Sequence, residues 1–441
     1  MKKLLIVFMI IAAIGGGWWF FTTSCEGERP AIKFKQDIST IGRQKVFDIT
    51  FMDQKMGLRN TVVTINQDNK TRVLSSIKYP QKGTKEKSLS FVIDPLSLKL
   101  HDGAATLNIS AVDYSLRKNK TSITKHVNID LMPPQIYLLN PMNYINPGGT
   151  CVTLYRISEP VSTTGIQVEN HFSPGYPITL SGNACIIAYF AIPMQARNGQ
   201  INIRVIARDQ AGNESSSNLP CLIREKKFRS DRMDLSENFL QQKMPEFQLQ
   251  NPNLRGKTSL ETFIYVNGLM RNDNDKAIET ICQKTNPRQL WEGTFLRMKN
   301  ASPMALFGDR RTYLYQGKTV GESIHLGVDL ASTMHAPVEA ANHGIVAFAG
   351  FIGIYGNTIL IDHGLGLFTH YGHLGTINVR KEQQVKKGDV IGYTGSSGLA
   401  GGDHLHFGCV VGGQFVNPQE WWDAHWITDN ISKKMELFSN F

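Results

Sequence analysis

Between residues 30 and 225 no apolar pattern keeps a helical period for long. Short runs rich in Thr, Val and Ile alternate with turns of Asn, Asp, Gly and Lys. That pattern predicts strands joined by tight turns, an all-β stretch. A weak internal repeat divides it: Leu107–Asp113 (LNISAVD) matches Ile203–Asp209 (IRVIARD), 96 residues further on. The offset is about the length of one β-sandwich. Each copy runs into a polar turn, Lys118-Asn119 in one and Ala211-Gly212-Asn213 in the other.

The second copy ends A-x-D-x-A-G-N, which resembles a late hairpin of many bacterial immunoglobulin-like extracellular domains. Pro133-Pro134 falls between the copies and marks a boundary. The expectation is therefore two immunoglobulin-like β-sandwiches, residues 30–133 and 134–225, serving as spacers. Residues 226–300 change character and predict short helices. One covers 236–244; another runs from Leu260 to Met270 with Ser259 as N-cap; a third is capped by Asp275 and carries Ile278, Ile281 and Cys282. Such a segment packs a face and is placed to cover a neighbouring groove. From residue 301 the chain turns to strands again, and 21 of its 39 Gly lie in 301–426, which favours tight turns.

One segment bears on location. Lys2-Lys3 precedes Leu4–Phe21, 18 uncharged residues, near the lower limit for a membrane-spanning helix. The lysines hold the cytoplasmic side, so the body of the chain lies outside the cytoplasm, in the cell envelope. Residues 1–29 thus predict a transmembrane signal-anchor. A cleaved signal ending near Thr22-Thr23-Ser24, or a lipid on Cys25, exports the body equally. An exported chain can keep disulfides, with Cys151–Cys185 the best pair; buried free thiols are the equal alternative. The formal net charge is +10, but 301–426 carries seven Lys and Arg against ten Asp and Glu. The basic surplus lies elsewhere, and export excludes nucleic acid as a partner.

The histidines are unevenly placed: eight of 12 fall within 325–406. His325-Leu326-Gly327-Val328-Asp329 puts a His and a carboxylate four apart, a usable pair of metal ligands on one face. His404-Leu405-His406-Phe407 projects two imidazoles from one face of a strand, with Leu405 and Phe407 turned into a core. In Thr369-His370-Tyr371-Gly372-His373-Leu374, period two puts Thr369, Tyr371 and His373 on one face and His370 opposite. His335, His343, His363 and His370 read as turn or supporting residues.

Taken together, H-x-G-x-D, Y-x-H-L and H-L-H-F in this order resemble the lysostaphin/LytM-type zinc metallopeptidases, which cleave peptidoglycan cross-links. Ala336–Ala340, Gly344-Ile345-Val346, Tyr355-Gly356-Asn357, Val385–Gly388 and Gly392–Gly395 agree with it. The resemblance implies an antiparallel-β peptidase domain over 301–426, followed by a tail, 427–441. It implies His325, Asp329 and His406 as ligands of one Zn²⁺ per chain. It implies His404 as the residue that takes a proton from water, and His373 as the one that stabilises the oxyanion. Gly408 departs from the Glu that the family often carries after H-L-H-F. The expected fold is mainly β, and the expected activity is a zinc endopeptidase acting on peptidoglycan. The rival is a non-catalytic wall-binding activator or scaffold for other wall hydrolases, against which the five intact positions argue. Protein partners stay open.

Overall fold

The computed structural model of the chain describes residues 8–18, 27–36, 38–139 and 142–439. It is mainly β. Residues 8–18 form a helix whose apolar side chains, Phe8, Ile11 and Ile14 among them, are exposed. The expected span Leu4–Phe21 begins and ends outside the described residues, and Cys25 lies outside them too. Among the described residues no helix is long and apolar enough to cross a membrane.

Two compact units are distinguished. The first comprises residues 1–134 with 159–162 and 208–215. Its five-stranded sheet runs in the order Thr40–Ile41, Lys120–Ile129, Gly103–Asp113, Leu58–Gln67, Lys70–Lys78. A three-stranded sheet of Ala31–Phe34, Lys45–Met52 and Glu86–Ile93 shares its core. Alternate residues of Leu58–Gln67 and Gly103–Asp113 are buried, so Val63, Ile65, Leu107 and Ile109 meet Phe47, Ile49 and Phe51. The repeat has a physical basis. Asp113 accepts hydrogen bonds from the backbone of Ser115 (3.1 Å) and from Asn119 Nδ2 (2.8 Å). Asp209 likewise accepts from the backbone of Asn213 (2.9 Å) and its Nδ2 (2.8 Å). Each carboxylate satisfies the donors of the turn that follows its strand.

The second unit comprises residues 135–158, 163–207 and 216–441. Its first layers are two four-stranded sheets. One of them contains Thr150–Ile157 and Asn183–Ala191, paired antiparallel. The register overturns the expected Cys151–Cys185 disulfide. Cys151 lies opposite Phe190, five residues from Cys185, about 16 Å along the strand. Five is odd, so the two side chains enter different cores on opposite faces. All five described cysteines are free thiols.

Residues 302–416 carry a ten-stranded antiparallel sheet. Its main path runs Ser302–Ala305, Val328–Ala331, Leu405–Val411, Leu367–Ile377, Gly356–Asp362, Gly344–Ile352, Gln384–Val385. The central strands are buried on both faces. Tyr371, Phe407 and Cys409 join one core with Trp291, Phe295 and Trp421. Phe368 and Val410 join another with Leu240, Met244, Phe247 and Phe263. The helices of 226–300 therefore supply a layer on the second face. Glu237–Gln250 is capped by Ser236, which accepts from the backbone of Phe239. The next helix, Ser259–Tyr265, is capped by Thr258 rather than Ser259, because Thr258 and Glu261 form a capping box. Asp275 caps nothing. It lies inside Arg271–Ile281 and accepts from the Tyr355 hydroxyl at 2.7 Å.

Behind the sheet, Trp421 is fully buried against Trp291, Phe295 and Tyr189, with ring centroids 5.6, 5.3 and 6.2 Å away. Its neighbour Glu420 is buried too. Its carboxylate accepts from the backbone of Thr150 (2.7 Å) and Asn146 Nδ2 (3.1 Å). Burial pushes its pKa up to about 7, against hydrogen bonds and Lys226 that pull it down. A carboxylate raised in the fold binds more protons folded than unfolded between pH 4.5 and 7. Stability therefore falls as pH rises through that window, by about 3 kcal/mol for this group. Glu420→Gln removes the titration. Urea unfolding at pH 5 and pH 8 should show the variant gaining on the wild type at the higher pH; an equal gap at both would contradict it.

Candidate active site

The site begins with one antiparallel pair. In the register of Val328–Ala331 against Leu405–Val411, Asp329 lies directly opposite His406. His325 precedes the first strand and is held by its backbone, which donates to the carbonyl of Asp309 (2.9 Å) and accepts from Gly308 (2.8 Å). Its Nδ1 lies 3.0 Å from the carbonyl of Leu306 and donates to it. That fixes the tautomer and leaves the lone pair on Nε2.

Three acceptors then converge. His325 Nε2 is 2.9 Å from Asp329 Oδ1 and 3.1 Å from His406 Nδ1, and His406 Nδ1 is 2.9 Å from Asp329 Oδ1. All three residues are buried. Tetrahedral zinc with bonds of about 2.0–2.1 Å needs ligand atoms about 3.3 Å apart. The donor set, two imidazole nitrogens and one carboxylate oxygen, fits such an ion. Burial pushes the Asp329 carboxyl upward, but the three imidazoles around it outweigh this and hold it well below the usual range. Burial lowers His406 to about 4, so it is neutral and free to bind through a lone pair. Gly327 makes the approach possible. A Cβ there would stand 2.6 Å from the His406 ring and 2.7 Å from the Phe407 carbonyl.

Two further imidazoles flank the cluster. His404 Nε2 is 3.6 Å from Asp329 Oδ1, and its Nδ1 donates to the carbonyl of Gly402 at 2.9 Å. Burial lowers its pKa, but Asp329 and the Gly402 carbonyl outweigh that and raise it above the usual value. His373 Nδ1 donates to the carbonyl of Ser397 at 2.8 Å. Burial, then His404 and His406, holds His373 well below the usual value. The two rings are 4.9 Å apart. Both fix Nδ1–H on a backbone carbonyl, so each keeps Nε2 for chemistry.

The strict period-two reading of Thr369–Leu374 fails at one residue. His373 has φ +59°, and the pairing of Leu367–Ile377 with Gly356–Asp362 slips at this point. The bulge turns His373 to the side of His370 rather than Tyr371. His370 thus lies beside His406, ring centroids 5.3 Å apart, fully buried and with neither ring nitrogen hydrogen-bonded. Its register partner is Gly408, where a Cβ would stand 3.4 Å from the His370 ring. A Cβ at 408 would meet this imidazole at ordinary contact distance. His363 is a structural residue, bonded to the His343 carbonyl and Thr369 at 2.7 Å each.

The site opens into a groove of about 630 Å³. His325, Asp329, His373, His404 and His406 line one part, and Met233, Phe239, Phe263 and Arg271 line another. The upstream segment is therefore a wall of the groove as well as a packing layer. Sequence reading missed two contributors. Tyr355 stands against His406 at 5.4 Å and is anchored by Asp275. Arg311 lies 3.2 Å from Asp329 Oδ2. Tyr355 falls in the Tyr355-Gly356-Asn357 stretch that agrees with the resemblance, but its place at the site, like that of Arg311, depends on contacts distant in sequence.

The fold and donor set define a metallopeptidase-type site, and the comparisons agree. Residues 323–418 match Peptidase family M23, and this segment is an M23 domain. The DD-carboxypeptidase/endopeptidase Mpg of Neisseria meningitidis serogroup B is 41% identical over 95 residues, 22% of each chain. Peptidoglycan DD-endopeptidase ShyA of Vibrio cholerae is 38% identical over 96 residues, again 22% of each. This chain thus spans about a fifth of the length of these relatives. The catalytic domain of lysostaphin from Staphylococcus simulans is 28% identical, covering 30% of this chain and 98% of that one, with TM-score 0.25.

Gly327→Ala displaces His406 while leaving His325, Asp329 and His406 themselves unchanged. It should weaken zinc binding about 10- to 100-fold, read by retention of zinc against graded chelator. Unchanged retention would mean that the His406 ring does not need this approach.

Proposed function

We propose that this chain is a zinc metalloendopeptidase that hydrolyses peptide bonds in the stem or cross-bridge peptides of peptidoglycan. The observation that carries the reading is the convergence of His325 Nε2, Asp329 Oδ1 and His406 Nδ1 within 3.1 Å of one another on a groove wall. The names of the relatives, peptidoglycan DD-endopeptidase among them, support the substrate class. Three protein ligands leave a fourth position open, as hydrolytic zinc requires. His325, Asp329 and His406 would hold zinc there, and it would supply Lewis acidity and make water more acidic.

The chain's own residues do the rest. His404 accepts the proton of the attacking water at Nε2, the only ring nitrogen not committed to a carbonyl. That proton then passes to the leaving amine. His373 faces the carbonyl oxygen across the groove. With Nδ1–H on Ser397, it donates from Nε2 only as the imidazolium, taking the second proton from solvent as charge develops on the oxygen. Burial and the neighbouring imidazoles disfavour that state at rest, and negative charge on the oxygen favours it. The apolar wall of Met233, Phe239 and Phe263 limits water in the groove.

Location follows from the N-terminus. The uncharged run behind Lys2-Lys3 and the exposed apolar residues of helix 8–18 support a membrane anchor with the body in the cell envelope. The two upstream β-sandwich regions then act as immunoglobulin-like spacers.

The test is digestion of purified peptidoglycan by the full chain, with mass analysis of the fragments. Cross-linked D,D-muropeptides are the first substrates to examine. His404→Ala and His373→Ala should each retain zinc and lose about 10²- to 10⁴-fold in rate. Zinc-loaded wild type that releases no fragments would overturn the endopeptidase and favour the activator reading.

A further inference from the structure

The carboxylate of Asp329 is divided between two partners. Oδ1 is the atom 2.9 Å from both His325 and His406. Oδ2 accepts from Arg311 Nη2 at 3.2 Å. Both side chains are largely shielded, Arg311 at 20% exposure and Asp329 at 12%. Arg311 comes from outside the residues that match the peptidase family, 323–418. It lies on Arg310–Tyr315, which pairs antiparallel with Lys318–Ile324 and parallel with Ser230–Asp234. In that register Arg311 stands opposite Ser323 on one side and Asp231 on the other. The side chain of Tyr313, two residues on, is close enough to act on the guanidinium, and its hydroxyl lies 3.2 Å from Ser323 Oγ.

An unrestrained carboxylate turns freely about its Cβ–Cγ bond. It presents either oxygen, or both, to a cation. A planar guanidinium donor on one oxygen removes that freedom and leaves the other oxygen aimed at the cluster. We propose that Arg311 is a positioning residue of the metal centre, holding Asp329 so that Oδ1 alone faces the metal. The inference rests on the zinc-site reading above and extends it. The metal centre is completed by a strand that lies before the matched residues 323–418 and is itself paired to Ser230–Asp234. Helix, strand and sheet upstream of residue 323 are then part of the working site and not only its cover.

The experiment compares full-length wild type, Arg311→Ala, Arg311→Lys and Tyr313→Phe. Zinc affinity is measured by competition with a chromogenic chelator, and metal-free thermal unfolding controls for folding. Arg311→Ala should bind zinc about 10- to 100-fold more weakly. Arg311→Lys should recover part of the loss, because it keeps a donor but not the planar fork. Tyr313→Phe should lose less than Arg311→Ala. Should Arg311→Ala fail to fold, the Lys and Phe variants carry the comparison, and wild-type affinity in both would overturn the proposal. Wild-type zinc affinity in a folded Arg311→Ala would overturn it too, and a raised KM with that affinity would assign Arg311 to substrate instead. Wild type that takes up no zinc removes the metal reading and this one together. Wild type that binds zinc but does not cleave peptidoglycan overturns only the endopeptidase, and the affinity comparison still decides the role of Arg311.

Discussion

Three buried electron-pair donors meet at 2.9–3.1 Å, and the rest of the peptidase segment is arranged to make them meet. A carboxylate oxygen and two imidazole lone pairs repel one another in a low-dielectric interior unless a cation or a proton sits among them. Their approach is imposed by backbone. One antiparallel register sets Asp329 opposite His406, and the Leu306 carbonyl turns His325 Nε2 inward. Gly327 leaves the space that a methyl group would take from the His406 ring. The bulge at His373 brings a further imidazole to the same side. Each device is local, and together they fix a metal-ready geometry in the fold.

Such a geometry survives only on a rigid support. The central strands are buried on both faces, by the aromatic cluster around Trp421 on one and by the helical segment on the other. Close packing of this kind resists small displacements. The same helical segment pins the site from outside. Asn274 accepts from the backbone of Ile354 at 2.8 Å, and Asp275 accepts from Tyr355, whose ring rests on His406. Packing and site thus share residues, and helix Arg271–Ile281 is linked to His406 through Tyr355.

Much of this was legible in the sequence because its causes are local. Period two across His404-Leu405-His406-Phe407 puts Leu405 and Phe407 in the core and the histidines toward the site, as observed. The Asp of each repeat copy sits beside the turn donors it satisfies. Where the reading failed, a non-local or competing local interaction decided. The capping box of Thr258 and Glu261 outcompetes Ser259. Asp275 serves a tyrosine 80 residues away instead of its own helix. A left-handed residue at His373 breaks an alternation that composition cannot flag. Strand register separates Cys151 from Cys185 although sequence spacing suits a bridge. Arg311 is one arginine among many until the sheet brings it to Asp329.

The most direct measurement on the central claim is X-ray absorption at the zinc edge on the purified full chain. The account predicts one zinc per chain with a first shell of nitrogen and oxygen at about 2.0–2.2 Å, including two imidazoles. A shell containing sulfur near 2.3 Å, or no bound zinc at all, would contradict it, because the cysteines and not the His325, Asp329 and His406 cluster would then hold the metal, or nothing would.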